Sequence, residues 1–281
     1  MAEAPSLVTR RPRIGGPFSD SRLATRMSSW WQRRSFGDIS SYCMFVGYPR
    51  SGHSLLGSLL DAHPDAVIAH ELDALDYVDK GWTRNELFAR ILRHDQDFTR
   101  GGRQWFGYDY NVAGQWQGRY RTLRVIGDKR GALSTERIAK SPALLDRLER
   151  LVGVPVRLLH VVRNPFDNIA TMSRRTGESL DVAANRYFAL CDTVAGIRCR
   201  RTSFLDVRHE ELIAEPHRQL SRVVGWLDLD SPDGYLDACT ATVFDSPRRT
   251  RHDVAWSTEL LERVEAAART YDFLAGYTME S

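Results

Sequence analysis

The segment at residues 42–54 reads Tyr42-Cys43-Met44-Phe45-Val46-Gly47-Tyr48-Pro49-Arg50-Ser51-Gly52-His53-Ser54 and joins an apolar run to a glycine-containing loop. Its first five residues form an apolar run, which is typical of a buried parallel strand. Leucines at helical spacing follow from Leu55 to Leu60, and His63-Pro64 is expected to end that helix. A glycine-containing loop between a strand and a helix offers backbone N–H groups and the positive end of a helix dipole. The stretch therefore predicts an anion-binding site.

The spacing from Gly47 to Ser54 fits the phosphate-binding pattern G-x4-G-K-[S/T], except that His53 stands in place of the lysine. A fixed positive charge comes instead from Arg50, whose planar guanidinium can bind two oxygens of one anion. The loop residues that are predicted to bind the anion are Arg50, Ser51, Gly52, His53 and Ser54. A strand–helix turn that matches this pattern by chance, without binding an anion, would have the same sequence. Residues elsewhere in the chain must therefore distinguish the two possibilities.

Short apolar runs alternate with helical patterns along the rest of the chain, which indicates βαβ units. Strands are predicted near residues 66–69, 156–162 and 203–207. Helices are predicted to begin at the capping box Thr83-Arg84-Asn85-Glu86, at Ser141-Pro142 and at Asn164-Pro165, and to span 216–227 and 257–273. The aromatic and glycine-rich segment 101–120 is predicted to be a loop region beside a substrate. The predicted fold class is α/β, a single domain with a mostly parallel central β-sheet flanked by helices, of the P-loop nucleotide-binding type.

Length and composition limit the class of protein. A chain of 281 residues can bury one sizeable core. Residues 39–281 are expected to form that domain, and residues 1–38, rich in Arg, Ser, Pro and Gly, an N-terminal arm. The net charge of +3 gives no sign of nucleic acid or a membrane surface as a partner. The four cysteines show no metal-binding spacing, and we see no signal peptide or apolar span, so we expect a soluble, cytoplasmic protein with reduced thiols and no metal.

A second strand–helix junction repeats the physics of the first loop. Arg163 ends the predicted strand 156–162, and Thr171 and Arg175 follow it on the next helix. Because Thr171 and Arg175 are four residues apart, they share one helix face and can converge on one anion. Asp167 lies in register with that face and is expected to hold Arg163 or Arg175. An exposed basic helix is the plain alternative, but two anion sites on neighbouring strand ends suggest a ligand with two separated anionic groups.

A kinase-like phosphotransferase or another NTPase is the main competing hypothesis. That chemistry needs Mg²⁺, which is usually held by the loop Ser or Thr and by an Asp at a strand end. Here the predicted strand 156–162 runs into Arg163, and Asp128 is only a weaker candidate for such an acid. The missing lysine and this arginine both point away from metal-assisted phosphoryl transfer.

These motifs resemble the P-loop sulfotransferases that use 3′-phosphoadenosine 5′-phosphosulfate (PAPS). Residues 48–52 are similar to their 5′-phosphosulfate loop. Arg163, with Thr171 in place of the usual Ser, is similar to their 3′-phosphate motif. The resemblance implies a sulfotransferase that uses PAPS as co-substrate and needs no metal.

Other segments extend the resemblance over about residues 42–256. Residues 49–64 and Arg175 are similar to the tyrosylprotein sulfotransferase branch in particular. The segment 207–216 resembles the family pattern V-x-Y-E-x-L-x-x-x-P, with His209 where Tyr is usual. The late basic loop of the family is matched by Arg248 and Arg249.

The resemblance also implies a mechanism. A base takes the proton of an acceptor hydroxyl or amine, which attacks sulfur in line, while Arg50 and Lys129 stabilise charge on the leaving oxygen. Glu71 matches the catalytic glutamate of that branch and is the expected base. His70 has a suitable ordinary pKa but, as a neighbour on a strand, is expected to face the opposite way. His53 stays open as a group that contacts sulfate oxygens instead.

The resemblance does not specify the adenine contacts, the acceptor or the oligomeric state. Leu55 stands where the cytosolic enzymes have an adenine-stacking Trp, so the adenine contacts are unassigned. The tyrosylprotein enzymes are membrane-anchored and act on proteins, whereas here we expect a small-molecule acceptor, a natural product for example, against the aromatic segment 101–120. A non-catalytic nucleotide-binding module is the second alternative. The oligomeric state is not fixed by the sequence, and a homodimer remains an option.

Overall fold

The structure is a computed structural model that describes residues 36–281. Its strands are β1 (Ser41–Val46), β2 (Ala66–His70), β3 (Gln104–Trp105), β4 (Tyr108–Asp109), β5 (Val125–Lys129), β6 (Val156–Val162) and β7 (Phe204–Arg208). Five of them form a parallel sheet in the order β2-β5-β1-β6-β7, and β3 pairs with β4 in an antiparallel hairpin. The predicted fold class is confirmed: a single α/β domain with a parallel central sheet between helices.

Helices connect and cover the strands. They are α1 (His53–Asp61), α2 (Ala74–Asp79), α3 (Arg84–Arg100), α4 (Gly131–Lys140), α5 (Ala143–Val152), α6 (Pro165–Thr176), α7 (Leu180–Arg200), α8 (His209–Ala214), α9 (Pro216–Trp226), α10 (Tyr235–Thr240) and α11 (Thr258–Ala268). Short 3₁₀ helices follow at Thr250–Asp253 and Asp272–Leu274. Over the described residues, every helix is too short or too polar to cross a bilayer.

Strand β1 lies at the centre of the sheet because its residues are apolar on both faces. All six are buried, and β5 and β6 pair with it on either side. The chain first adds β2 and β5 on one side of β1 and then adds β6 and β7 on the other. In open parallel sheets a ligand crevice forms at the carboxyl ends of the strands where the order reverses. The loop 47–52 after β1, hereafter the P-loop, opens into this crevice.

Most predicted elements are confirmed, because local signals fix their ends. Strand β6 has the predicted bounds 156–162. The capping box of Thr83 and Glu86 forms both of its reciprocal hydrogen bonds. Asn164 caps α6 by accepting a hydrogen bond from the amide of Phe166.

Other boundaries differ from the prediction. Helix α5 begins at Ala143, and the side chain of Ser141 does not cap it. The segment 101–120 contains the hairpin β3–β4 within its irregular course. Helix α11 ends at Ala268, five residues before the predicted end. Helix α7 is absent from the predicted elements, although its buried residues recur at helical spacing.

Only the last residues of the predicted N-terminal arm fall within the described range. Phe36 is 1% exposed and packs edge-on against Phe88, with ring centroids 5.6 Å apart. The carbonyl oxygen of Phe36 also accepts a hydrogen bond from Arg84, over 3.1 Å. The packed domain therefore includes Phe36, and residues 1–35 of the predicted arm lie outside the described residues.

A buried arginine ties the segment 101–120 to the domain. Arg103 is 1% exposed and pairs with Asp61 at the end of α1, over 2.7 Å, and with Asp95 on α3, over 2.9 Å. Asp61 also accepts from the amide of Ile68 on β2, and Asp95 from the amide of Gly118. One guanidinium thus links two helices, the edge strand β2 and both ends of the aromatic segment.

Arg103→Ala is expected to lower the free energy of unfolding by about 3–5 kcal/mol, because two buried carboxylates would lose their cation. Urea denaturation followed by circular dichroism measures the change. The matched control is Arg100→Ala at the end of α3. The side chain of Arg100 is 71% exposed beside Asp97, and such an ion pair is worth at most about 0.5 kcal/mol. Equal losses in the two variants would contradict the role given to Arg103.

Candidate active site

The P-loop turns sharply between β1 and α1. Arg50 and Gly52 adopt positive φ angles of 70° and 103°. Gly52 caps α1, and within the described chain no side chain bonds to the first amides of this helix. Those N–H groups and the helix dipole together favour an anion in front of the loop.

The backbone at Gly52 is fixed by His209, the first residue of α8. A Cβ atom on Gly52 would lie only 2.3 Å from Nδ1 of His209. Burial, with the charge of Arg163, lowers the pKa of His209 to about 3, so the ring is neutral. Its Nδ1 is buried and has no hydrogen-bond partner among residues 36–281. The loop therefore needs glycine here both for its φ angle and for space.

A cavity of about 870 Å³ opens in front of the P-loop. It brings together predicted site residues from four separate segments: Arg50, Gly52, His53, Ser54, Glu71, Arg163, Thr171, Arg175 and Arg248. The predicted residues that do not line it are Ser51, His70, Lys129 and Arg249.

Glu71 and Lys129 form an ion pair beside the P-loop. Nζ of Lys129 lies 2.7 Å from Oε1 of Glu71 and donates to Oγ of Ser54 over 2.8 Å. Lys129 is 1% exposed, and this burial lowers its pKa, an effect that the charge of Glu71 opposes. Burial by itself would raise the pKa of Glu71, but Lys129 and Arg130 hold it below its ordinary value. Glu71 is therefore an ionised carboxylate at the cavity wall that can accept a proton.

His70 and Glu71 reach the same ammonium group, so the expectation that they face opposite ways is wrong. Glu71 follows the last residue of β2 and adopts a φ angle of 63°, which breaks the alternation of the strand. Nε2 of His70 lies 3.5 Å from Nζ of Lys129, and its ring stacks on Phe98 with centroids 4.4 Å apart. Burial and the charge of Lys129 hold the pKa of His70 well below its ordinary value. His70 lies behind the cavity wall, against Lys129.

The ring of His53 lies under the P-loop rather than in front of it. Its Nε2 is 3.2 Å from the carbonyl oxygen of Val46 and 3.2 Å from Oγ of Ser51. Burial and the charge of Lys129 lower the pKa of His53 to about 3. The ring also fills the space beside Gly131, where a Cβ atom would lie 2.5 Å from its Cε1. His53 therefore supports the shape of the loop, with only part of the residue at the cavity.

Arg163, directly after β6, joins three segments of the cavity wall. Its Nη1 donates to the carbonyl oxygen of Arg50 over 3.2 Å and lies 3.3 Å from Oγ1 of Thr171. Its Nη2 donates to the carbonyl oxygen of Arg248 over 2.5 Å. Oγ1 of Thr171 is in turn 2.8 Å from Oγ1 of Thr250. The P-loop, α6 and the segment that carries Arg248 thus converge on one guanidinium.

The partner of Asp167 differs from the expected one. Its Oδ1 accepts from the amide of Arg251 over 2.9 Å, and its Oδ2 pairs with the guanidinium of Arg251 over 3.2 Å. Asp167 bonds to neither Arg163 nor Arg175, so both expected pairings are wrong. Arg251 is 1% exposed and was detectable in the sequence only as part of a basic run. This pair fixes residues 248–251, hereafter the late segment, on α6.

The cavity is strongly electropositive. Seven arginines and two glutamates line it: Arg50, Arg130, Arg163, Arg174, Arg175, Arg186 and Arg248, with Glu71 and Glu136. Arg186 pairs with Glu136, and Arg174 with Asp253 outside the cavity. The side chains of Arg175 and Arg248 form no ion pair or hydrogen bond with the described residues, which leaves them available to a ligand. Such a cavity suits a ligand with more than one negative charge.

Asp128, the weaker candidate for a magnesium ligand, has a structural role. Its carboxylate accepts hydrogen bonds from the amides of Leu72, over 3.0 Å, and Ala74, over 2.7 Å. Burial raises its pKa to about 7 despite these two bonds. Asp128 therefore holds the turn that carries Glu71. No cluster of three His, Cys, Asp or Glu residues suited to a metal ion occurs within residues 36–281.

Aromatic side chains of the segment 101–120 form one wall of the cavity, as expected. They are Trp105, Phe106, Tyr108 and Tyr110. The guanidinium carbon of Arg50 lies 4.7 Å from the ring centroid of Phe106. Tyr108 meets Phe244 edge to face, with centroids 6.0 Å apart. The aromatic wall thus begins directly beside the P-loop.

Gly52→Ala is expected to lower the free energy of unfolding by about 3 kcal/mol, since it adds backbone strain and a collision with His209. Gly153→Ala is the control, because Gly153 has a φ angle of 64° and open space around its Cα. Gly153→Ala should lower the free energy of unfolding by only about 1 kcal/mol. In a His209→Ala background the difference between the two alanine variants should disappear. Denaturant titration measures all four, and equal costs in the wild-type background would contradict the contact.

Solved structures with a similar fold are sulfotransferases. The sulfotransferase domain of the Synechococcus olefin synthase matches with a TM-score of 0.54 and 16% identity, over 83% of this chain and 94% of that one. The sulfotransferase domain from the curacin biosynthetic pathway gives 0.52 and 14%, over 83% and 99%. Sulfotransferase STF9 from Mycobacterium avium gives 0.51 and 13%, over 92% and 87%. At such identities these matches establish the fold.

Sequence comparison establishes the family. No curated protein matches the chain. The family model described as the sulfotransferase family matches residues 44–233, about two thirds of the chain. The matched range contains the P-loop, Glu71, Lys129, Arg163 and Thr171. The chain therefore belongs to the sulfotransferase family, the enzymes that transfer a sulfuryl group.

Proposed function

We propose that this sulfotransferase takes its sulfuryl group from PAPS and transfers it to a hydroxyl or amine of a small molecule. The observation that supports this most is that two anion-binding surfaces meet in one cavity through Arg163. PAPS carries a 5′-phosphosulfate and a separate 3′-phosphate. A donor with two anionic groups matches a cavity with two such surfaces.

The two ends of the donor would bind to different segments. The 5′-phosphosulfate would lie on the P-loop amides and Arg50, and the 3′-phosphate on Arg163, Thr171 and Arg175. Arg248 would close over the nucleotide from the late segment. The side chains of Arg175 and Arg248 support this fit. Both are exposed at the cavity wall and neither forms an ion pair within residues 36–281, so their charge is available to a ligand.

The residues around Glu71 can carry out the chemistry. When bound, PAPS supplies an activated sulfuryl group with a phosphate leaving group. Glu71 takes the proton of the acceptor, and its carboxylate is ionised for that purpose. Lys129 and Arg50 stabilise negative charge that develops on the leaving oxygen. The resemblance of residues 49–64 to the tyrosylprotein branch supports these roles.

Two alternatives are weaker. A kinase-like phosphotransferase would need an acid for Mg²⁺ near the P-loop, but both oxygens of Asp128 accept from backbone amides and β6 leads into Arg163. A non-catalytic nucleotide-binding module would not require a carboxylate and an ammonium beside the P-loop. The pair Glu71–Lys129 favours catalysis.

The acceptor would bind against the aromatic wall. Trp105, Phe106 and Tyr108 offer apolar surface near Glu71, which suits a small molecule with a ring or chain next to its hydroxyl. The curacin and olefin synthase domains come from biosynthetic enzymes, and we propose a natural product as acceptor here too. Free cysteines in the described chain, three of them buried, support a cytoplasmic location.

The product nucleotide, 3′-phosphoadenosine 5′-phosphate (PAP), is expected to raise the melting temperature more than ATP with Mg²⁺ at equal concentration, because only PAP engages both anion surfaces. Arg163→Ala should weaken PAP binding by about 10-fold or more, through loss of charge-assisted hydrogen bonds. Calorimetry measures the affinity. The control is Arg269→Ala on the exposed end of α11. A larger shift with ATP and Mg²⁺ would favour the kinase hypothesis, and full PAP affinity in Arg163→Ala would remove Arg163 from the site.

Glu71→Gln is expected to keep PAP affinity and to lower the turnover of PAPS by a factor of about 10² or more, because the amide cannot accept the proton. Release of PAP from PAPS in the presence of a panel of phenols and alcohols measures turnover. Glu262→Gln, an exposed change on α11, is the control. Retained turnover in Glu71→Gln would contradict its role as the base.

A further inference from the structure

Tyr110, just after β4, has a role that the proposed mechanism does not use. Its side chain is partly buried and lines the cavity together with Arg50, Ser54 and Glu71. The nearby side chain of Ser54 opposes the rise that burial causes in the pKa of Tyr110. Its ring packs between those of His70 and Tyr108, with centroids 5.5 and 6.3 Å away. The phenolic oxygen therefore meets the P-loop end of the cavity, next to the group that Lys129 holds.

The backbone of Tyr110 is fixed although it lies in an irregular segment. Its amide donates to the carbonyl oxygen of the buried Arg103 over 3.1 Å. Its carbonyl oxygen accepts from Oγ of Ser58, over 2.7 Å, and from Nε2 of Gln117, over 2.9 Å. Ser54 and Ser58 lie one turn apart on the same face of α1. Ser58 thus holds the main chain of Tyr110, and Ser54 lies beside the side chain of Tyr110 at the cavity wall.

The direction of these hydrogen bonds follows from the donors involved. An ammonium group only donates, so Oγ of Ser54 accepts from Nζ of Lys129. Among residues 36–281 no hydrogen bond occupies the phenolic hydrogen of Tyr110, which lines the cavity, so this hydrogen can be donated to a ligand there. Burial raises the pKa of Tyr110 to about 12, so the phenol keeps this hydrogen at neutral pH.

We propose that Tyr110 is a further catalytic residue, whose hydroxyl donates a hydrogen bond to the sulfuryl group of the donor during transfer. The proposal rests on PAPS being the donor. The buried ammonium of Lys129, which donates to Ser54 beside the phenol, adds positive charge that strengthens the phenol as a donor. Its fixed backbone means that this donor is oriented before the substrate arrives, which is how such groups stabilise developing charge.

Tyr110→Phe tests the proposal because it removes the hydroxyl and keeps the ring between His70 and Tyr108. We expect kcat for release of PAP from PAPS to fall by about 10²-fold. We expect the affinity for PAP, which lacks the sulfuryl group, to stay within about twofold. Tyr271→Phe is the matched control, because that hydroxyl donates to Asp192 on the surface.

A binding measurement gives a second readout that does not depend on turnover. In the slow Glu71→Gln background, Tyr110→Phe should weaken binding of PAPS severalfold by calorimetry and leave binding of PAP unchanged. If Ser54 and Tyr110 act together, the double variant Ser54→Ala/Tyr110→Phe should lower kcat by less than the product of the two separate effects.

The outcomes separate this proposal from the donor assignment. Wild-type kcat and wild-type PAPS affinity in Tyr110→Phe would overturn the role of Tyr110 alone. An equal loss of PAP and PAPS affinity with a lower melting temperature would show a structural role instead, and would also overturn it. A wild-type protein that neither binds nor cleaves PAPS would overturn the donor assignment and this proposal with it.

Discussion

The buried ammonium group of Lys129 organises the candidate site. Its N–H groups face Ser54, Glu71 and His70, so one cation orients groups from α1 and from the end of β2. Because it is buried, its field is weakly screened by solvent. That field keeps Glu71 ionised and, together with burial, keeps the neighbouring imidazoles neutral. Helix α1 packs directly on the lysine stem, since a Cβ atom on Gly57 would lie 2.7 Å from its Cγ.

Much of the fold could be predicted from the sequence, because local signals decide it. The apolar run before the P-loop, the capping box at Thr83 and the Asn164-Pro165 start of α6 each depend on a few neighbouring residues. Helix α7 could also have been predicted from local signals, because its apolar residues recur at helical spacing. The hairpin β3–β4 was not predictable in this way, because the segment is held by Arg103 and by two buried carboxylates on different helices, Asp61 and Asp95. Tertiary contacts, rather than propensity, give that segment its shape.

The same distinction between local signals and tertiary contacts applies to the candidate site. Residue spacing was enough to predict that Arg163 and Thr171 lie near the P-loop, because strand ends and helix faces follow from periodicity. Both residues line the same cavity as the P-loop. It could not name the partner of Asp167, because Arg251 reaches it from the far end of the chain. Strand alternation also failed at Glu71, where a left-handed residue directly after β2 turns the side chain. Such turns depend on what the surrounding structure imposes, here the amides held by Asp128 and the carbonyl held by Arg130.

The bonds of Arg163 to the carbonyl oxygens of Arg50 and Arg248 have a consequence for the catalytic cycle. A nucleotide that engages this guanidinium meets a group that already joins the P-loop to the late segment. Donor and spent nucleotide carry the same two phosphates, so electrostatic attraction holds the product about as well as the substrate. On the proposed function, release of the product would then involve the segment that carries Arg248, and movements of such segments are common steps in turnover. The same bonds that assemble the donor site would therefore also slow the exchange of spent nucleotide for a new donor.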